Sequence, residues 1–411
     1  GLKQILVAHD MRPSAHELVP AFIEGVASAG VDVISLGLCS TDMLYFASGF
    51  LNSPGAIFTA SHNPSEYNGI KLCRANAGPI GEESGLFEIR NRIDSELSQS
   101  TDRKGVVHEK DILDAFVSHV LGFVDGETLL PLHVVADVAN GMGGLVVPAV
   151  FKHLPIKLDL MFGQLDGTFP NHPADPLNPE NLVDLQKRVE TVNADIGLAF
   201  DGDADRVFLI DELGQSLSGS VTTALVARNI LEREPGSGII HNLICSRSVR
   251  EVIERHGGIA IRSRVGHSYI KQMMAETEAA FGGEHSGHYY FRDNYRADSG
   301  LIAALVVLHE MSTKKMPLSL LRKECEKYPS TGEINFRVQS PKLVVDSIGD
   351  TFSEYDCDFL DGLTVNTQEW WFNLRASNTE PLLRLNLEAE NTEILEHQLA
   401  ALLSHIEEFI E

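Results

Sequence analysis

Apolar positions follow two rhythms along this chain. Short, largely apolar runs at residues 5–8, 31–36, 55–58, 133–137, 195–200, 238–244 and 259–262 predict strands. Between them, apolar residues recur every 3.6 positions, as in an amphipathic helix. Residues 15–29 carry Leu18, Val19, Phe22, Ile23 and Val26 at that spacing, and Gly30 closes the segment. Further helices are predicted over 40–50, 82–97, 146–150, 181–193, 221–232, 249–255 and 299–311, the one at 82–97 charged and exposed. Strands alternating with helices predict an α/β layer structure.

The pattern changes after residue 328. Runs at 333–338 and 369–374 each look suited to pair with 382–387. A helix over 392–410 puts Leu395, Leu399, Leu402 and Ile406 on one face. This is the grain of a small α+β domain. The expected division is 1–108, 109–214, 215–327 and 328–411. The first three units have similar length and layout, which suggests an internal repeat of structure. Their sequences are too dissimilar to demonstrate it.

Composition narrows the class. The chain has 411 residues, 43% hydrophobic and 22% charged, as in a soluble globular protein. A run of about 18 apolar residues, enough to span a membrane, is missing. The net charge of −25 argues against nucleic acid or an anionic membrane as partner, but not against a phosphorylated small molecule in a locally basic cleft. Five scattered cysteines without CxxC spacing suggest reduced thiols and a cytoplasmic location. The sequence starts at Gly1 with a leading apolar stretch too short for a signal peptide, and reads as the interior or a trimmed form of a longer product.

Four stretches carry candidate chemistry. Thr59-Ala60-Ser61-His62-Asn63-Pro64 breaks off from the run at 55–58 into a tight turn, with Asn68-Gly69 and Lys71 close behind. A serine oxygen there suits phosphoryl chemistry, with His62, Asn63 and Lys71 neutralising phosphate charge or moving protons. The same residues also fit an ordinary surface turn. Asp201, Asp203 and Asp205 alternate in a loop ending at Arg206, and such carboxylates can converge on a hard cation such as Mg²⁺. An EF-hand is excluded, because Arg206 stands where the sharp turn needs glycine and strands are predicted on both sides. Glu284 and Ser286, framed by glycines, suit vicinal sugar hydroxyls, with His288 as a proton carrier and His267 a weaker parallel. Arg375 followed by Ser377, Asn378 and Thr379 forms a cradle for a phosphate dianion or, equally, common turn chemistry. Gly141-Met142-Gly143-Gly144 misses the spacing of a dinucleotide loop and reads as a packing turn.

Together and in this order, the four stretches resemble the phosphoserine, metal, sugar-recognition and phosphate-binding loops of the α-D-phosphohexomutase family. The resemblance covers essentially the whole chain. It implies three similar α/β mixed-sheet domains plus a C-terminal α+β domain of TATA-binding-protein type, heart-shaped around a central cleft. It implies an enzyme that interconverts hexose 1-phosphates and 6-phosphates through phosphorylated Ser61 and a bisphosphorylated sugar. Carried over residue by residue, Asp201, Asp203, Asp205 and a Ser61 phosphate oxygen hold Mg²⁺. Arg206, Glu284, Ser286, Arg375, Ser377, Asn378 and Thr379 bind substrate. Ser61, His62, Lys71, His267 and His288 are the catalytic candidates, and a sugar 1,6-bisphosphate is the implied activator. A monomer or homodimer is expected. Gly283 to His288, followed by Tyr289-Tyr290-Phe291-Arg292-Asp293, is most similar to phosphomannomutase loops. Phosphoglucosamine mutases typically have Gln in place of His285. A phosphosugar-binding or bisphosphate-forming paralogue is the other alternative.

Two departures stand out. The family's Asp-Ile-Arg-Gly segment, with its substrate-contacting arginine, would precede the first strand, and Arg12 belongs to a later segment. Ile244 stands where some bacterial members have a cleft lysine, so one phosphate contact is either missing or supplied by another group, Arg247 being one candidate.

Overall fold

The computed structural model describes residues 2–93, 103–377 and 382–409. The first sheet contains β1 (Gln4–His9), β2 (Asp32–Leu38), β3 (Gly55–Phe58), β4 (Ile70–Arg74), β5 (Gly78–Pro79) and β6 (Val107–Glu109), in the order β5-β4-β3-β1-β2-β6. The second contains β7 (His133–Asp137), β8 (Lys157–Met161), β9 (Ile196–Phe200) and β10 (Val207–Asp211), ordered β10-β9-β7-β8. The third contains β11 (Gly238–Asn242), β12 (Ile259–Ser263), β13 (Phe281–Gly283), β14 (Tyr289–Phe291) and β15 (Ala297–Asp298), ordered β12-β11-β13-β14-β15.

These three sheets share one plan. A first strand pairs in parallel with the next strand on one side and with a later strand on the other: β1 with β2 and β3, β7 with β8 and β9, β11 with β12 and β13. The later strand then turns back into an antiparallel partner, giving β3–β4, β9–β10 and β13–β14. The three chemical loops around Ser61, Asp201 and Glu284 are those three turns. The repeat suspected from element order is therefore present in the topology, where sequence similarity alone could not reveal it.

The fourth sheet is built differently. β16 (Ser330–Arg337), β17 (Asp356–Asp358), β18 (Leu363–Asn366), β19 (Trp370–Ala376) and β20 (Leu382–Ala389) run β16-β20-β19-β18-β17, antiparallel throughout. Both expected partners of 382–387 pair with it. The helices Pro341–Thr351 and Thr392–Glu407 contribute Val344, Ile348, Leu395, Leu402 and Ile406 to its core.

Some elements differ from expectation. The 82–97 stretch divides into a π-helical turn, Glu82–Leu86, and a short helix, Phe87–Ile93, split by Gly85 at φ 142°. Residues 94–97 lie outside the described residues. The strand expected to 244 ends at Asn242, because Leu243 donates its N–H to Ser263 O and the chain turns there. His267 opens the helix His267–Thr277. The helices Leu113–Leu121, Leu318–Cys325 and Pro341–Thr351 went unread; each is short, at 9, 8 and 11 residues. Among the described residues, no helix is long and apolar enough to cross a membrane.

Candidate active site

The Ser61 turn is tightly wound. Ser61 itself sits at φ 52°, a left-handed conformation uncommon for a residue with a side chain. Its N–H donates to Thr59 Oγ1 at 3.0 Å. Its hydroxyl donates to Asp201 Oδ2 at 2.7 Å and accepts from Arg206 Nη2 at 3.0 Å. His62 Nδ1 lies 3.5 Å from the same hydroxyl and also meets Arg206 Nη2. Burial, reinforced by the Arg206 charge, pushes the His62 pKa down to about 4, so the imidazole is neutral near pH 7. One hydroxyl thus faces a carboxylate, a guanidinium and an imidazole at once.

Asp201, Asp203 and Asp205 are all essentially buried, with candidate ligand atoms within 4.8 Å of one another. The Phe200–Val207 pairing of β9 and β10 closes their loop, and Ala204 at φ 61° makes the bend. At Gly202, a Cβ would come within 2.3 Å of Ser61 O, so only glycine lets the two loops meet. Thr41, at the start of the helix Thr41–Phe50, donates its N–H to Asp203 O at 3.0 Å and its hydroxyl to Asp203 Oδ2 at 2.5 Å. Lys71 Nζ, carried by β4, lies 2.7 Å from Asp203 Oδ2 and 2.6 Å from Asp205 Oδ2. Burial opposes the Lys71 charge, but the two aspartates outweigh it and raise its pKa well above the usual value. Burial pushes Asp201 up to about 8, with Arg206 pulling the other way. Burial also opposes ionisation of Asp205, yet Lys71 and His288 hold its pKa below the ordinary range. Asp203 Oδ1 and Asp205 Oδ1 are buried without a hydrogen-bond partner. Orphaned carboxylate oxygens beside further oxygen donors are the setting a hard divalent cation requires, so the residues fit a metal ion.

The third loop reaches this cluster through its backbone, where Arg206 and His288 form an isolated antiparallel bridge. His288 Nε2 is 3.8 Å from Asp205 Oδ1, its Nδ1 is 3.7 Å from Glu284 Oε2, and Ser286 Oγ is 3.2 Å from that Nδ1. Glu284 is buried and well held: it accepts from Tyr290 Oη at 2.7 Å, Gly266 N at 3.1 Å and Asn242 Nδ2 at 3.3 Å. His267 is exposed to solvent, yet desolvation by the surrounding protein, followed by the charge of Lys271, lowers its pKa. A second carboxylate–imidazole group, Asp205, His288 and Asp298, lies alongside. There Asp298 is neutralised by Lys271 Nζ at 2.8 Å.

The fourth loop is separate from these three. Arg375 is buried on β19 and donates to Glu333 Oε2 at 2.9 Å. Ser377 N donates to Leu382 O at 2.8 Å, and Asn378 and Thr379 lie outside the described residues. Ile244 is buried. The guanidinium of Arg247 does not take the place of a cleft lysine. Its Nη2 donates to Thr367 O at 2.6 Å and Trp370 O at 3.1 Å, and its Nη1 to Gln368 O at 3.1 Å.

One residue of the site went unrecognised in the sequence. Arg12 is 1% exposed, and its guanidinium lies inside the Ser61 turn. The signal was available: Asp10 and Arg12 form a charged pair directly after a buried strand, where unpaired charges are rarely tolerated.

Comparison with known proteins follows the same four-part division. The phosphoglucomutase/phosphomannomutase family matches as alpha/beta/alpha domain I over residues 1–100, domain II over 114–214, domain III over 218–328 and the C-terminal domain over 333–405. A phosphomannomutase of Escherichia coli strain K12 is 37% identical, the match covering 99% of this chain and 92% of that protein. A protein of Xanthomonas campestris pv. campestris described as phosphohexose mutases is 38% identical over 93% of this chain and 87% of its own length. Among solved structures, a phosphoglucomutase/phosphomannomutase family protein from Burkholderia thailandensis superposes with a TM-score of 0.89 at 30% identity, covering 100% of this chain and 90% of that one. A hydroxyl held between an aspartate cluster and an arginine, on turns of three like-built sheets, agrees with those matches, and the chain belongs to the phosphoglucomutase/phosphomannomutase family, the α-D-phosphohexomutases.

Proposed function

We propose that this hexose-phosphate mutase interconverts the 1- and 6-phosphates of mannose, glucose or both, with Ser61 as phosphoryl carrier. The observation that carries the reading is the Ser61 hydroxyl, 2.7 Å from Asp201 Oδ2 and 3.0 Å from Arg206 Nη2. Phosphoryl transfer between two oxygens needs in-line positioning and charge neutralisation more than covalent machinery. Asp201, Asp203 and Asp205 would hold Mg²⁺ together with a Ser61 phosphate oxygen, and the cation would neutralise charge on the transferring group. Arg206 and Lys71 add fixed positive charge around the same oxygens.

In the forward half-reaction, a sugar hydroxyl attacks phosphorus on phosphorylated Ser61. The new O–P bond forms as the P–Oγ bond breaks, and the hydroxyl proton passes to a base. His288 is the best-placed group, set between Asp205 and Glu284. The bisphosphorylated sugar turns over, Ser61 Oγ attacks its other phosphate, and the proton returns to the departing sugar oxygen. Glu284 and Ser286 would read the hydroxyls common to both orientations, while Arg375, Ser377, Asn378 and Thr379 would hold the phosphate that is not reacting. His62 and His267 serve as neutral hydrogen-bonding groups at the rim. A sugar 1,6-bisphosphate would prime the serine. The unit boundaries fall near residues 108, 214 and 327, and the location is cytoplasmic.

The test is a mutase assay with Mg²⁺ and a trace of glucose 1,6-bisphosphate, comparing mannose, glucose and glucosamine 1-phosphates. A high kcat/KM for mannose or glucose is expected, and a preference for glucosamine 1-phosphate would overturn the specificity. Ser61→Ala should abolish turnover. A variant near the wild-type rate would remove Ser61 as carrier.

A further inference from the structure

We infer that Arg12 is the positioning residue that sets the reactive geometry of Ser61. The inference rests on Ser61 as phosphoryl carrier and adds to that reading a residue with no contact to the reacting oxygen. A guanidinium has five N–H donors in a fixed fork. Here every one has an acceptor. Nε donates to Asp10 Oδ2 at 3.2 Å. Nη1 donates to Pro64 O at 2.6 Å and Tyr67 O at 3.0 Å, and Nη2 to Ser61 O at 2.9 Å and Asn63 O at 2.6 Å. Four main-chain carbonyls of one turn therefore point inward at one cation. Without it they would face each other across a half-buried turn, with Pro64 O still accepting from Tyr67 N at 3.1 Å but the others stripped of the Arg12 donors.

Arg12 is itself immobilised. Its N–H donates to Asp10 Oδ1 at 2.9 Å, which makes a two-point grip with the Nε contact. The Phe169 ring covers its guanidinium, 5.2 Å from centroid to Cζ. A Cβ at Gly167 would come within 2.6 Å of Arg12 Cα, so the second unit presses directly on this residue. The clamp thus joins the end of β1, the Ser61 turn and the 167–169 segment of the next unit.

The consequence is at Ser61. Its left-handed φ of 52° is a conformation that surrounding structure must enforce. Arg12 holds the carbonyl of that residue, while Asp201 and Arg206 hold its hydroxyl. Fixing both ends of one residue fixes the direction of Oγ. Lysine cannot substitute, because three rotatable donors on a point charge cannot serve four carbonyls and a carboxylate together.

The test uses the full chain as Arg12→Lys, Arg12→Met and Phe169→Ala, alongside Ser61→Ala. Thermal melts establish that each variant is folded at the assay temperature. Arg12→Lys is expected to lower kcat about 10²-fold, the typical cost of a small misplacement, with KM within about threefold of wild type. Phosphorylation of Ser61 by glucose 1,6-bisphosphate, followed by rapid quench, should slow by the same factor. The ³¹P resonance of the phosphoserine should broaden or shift. Phe169→Ala keeps all five donors and removes only the cover, so it should give a smaller loss of the same kind. A folded Arg12→Lys with wild-type kcat and an unchanged ³¹P resonance overturns the inference, and so does a change confined to KM. If Arg12→Met does not fold, Arg12→Lys and Phe169→Ala still decide. Turnover by Ser61→Ala would instead overturn the carrier assignment, a separate outcome in the same experiment.

Discussion

The first three units and the C-terminal unit are held together in opposite ways. In the first three, the main apolar core runs from Leu6 to Cys325 and draws on strands and helices of all of them, beside a smaller cluster local to each. Buried contacts also cross the unit boundaries: Thr41 with Asp203, Ser299 Oγ with Asp42 Oδ2 at 2.7 Å, and Lys271 Nζ over the Tyr45 ring at 3.7 Å. The C-terminal unit has its own core, from Val338 to Ile406. It meets the rest largely through polar contacts. Arg247 donates to three carbonyls, its N–H donates to Glu388 Oε1 at 3.0 Å, Arg262 pairs with Asp358, and Val265 N donates to Asp361 Oδ2 at 3.1 Å. Shared apolar cores resist relative motion, whereas polar contacts exchange readily with water. The Ser61 and aspartate loops thus sit on a base with a shared core, and Arg375 sits on a cap with a core of its own.

Four experiments can break or sharpen this contrast. The largest effect should come from the base. Asp203→Ala removes a buried carboxylate held by Lys71 and Thr41, and kcat should fall on the order of 10⁴-fold at saturating Mg²⁺. A loss under tenfold would mean that the base does not depend on that group. Next, Phe372→Ala opens the cap core, where Phe372 packs edge-on to Phe352 at 5.2 Å. It should cost about 3–5 kcal/mol. Calorimetry should show a transition that moves down while the base transition stays, and one merged shift would show the two cores to be coupled.

Third, Arg247→Ala cuts the densest polar link between base and cap. A loss of about 1–3 kcal/mol in docking is expected, read as faster hydrogen exchange at residues 367–370. Unchanged exchange there would show that other contacts fix the cap. The smallest effect is a pH dependence inside the base. His172 Nε2 lies 3.0 Å from Asp137 Oδ2. Burial opposes its charge, but the Asp137 hydrogen bond and charge outweigh that and raise its pKa. A group with a raised folded pKa contributes fully below its unfolded value of about 6.5, and the contribution fades as pH rises through the folded value. His172→Gln should therefore lower Tm more at pH 6 than at pH 8.5. An equal drop at both would assign His172 a packing role beside Phe162.

Much of this was legible in the sequence, for identifiable reasons. The runs at 55–58 and 195–200 read as strands because both faces are buried, leaving no polar alternation to confuse them. Asp201, Asp203 and Asp205 stood out because three carboxylates between apolar strands need a counter-charge. What escaped was set by distance in three dimensions. Arg12 and the turn it clamps lie about fifty residues apart, and no local pattern records that a carbonyl will point inward. The use of Arg247 was misjudged for the same reason: its partners at 367–370 belong to another unit. The repeat could be suspected from element order but not demonstrated, because it lies in the strand pairing rather than in matching side chains.

The continuous core from Leu6 to Cys325 also bears on how the protein is made. At roughly 5–20 residues per second, a ribosome needs on the order of 16–65 s to travel from Gly1 to Cys325. During that time the first unit can close its local cluster of Val7, Ala15, Val19, Val33 and Phe58 and pack the helix Thr41–Phe50 on β1 and β3, while the part of the shared core formed with later units waits for residues not yet synthesised. The nascent chain therefore exposes apolar surface for most of its synthesis, and chaperone demand should be concentrated there. The cap follows that stretch and closes on its own core, from Val338 to Ile406.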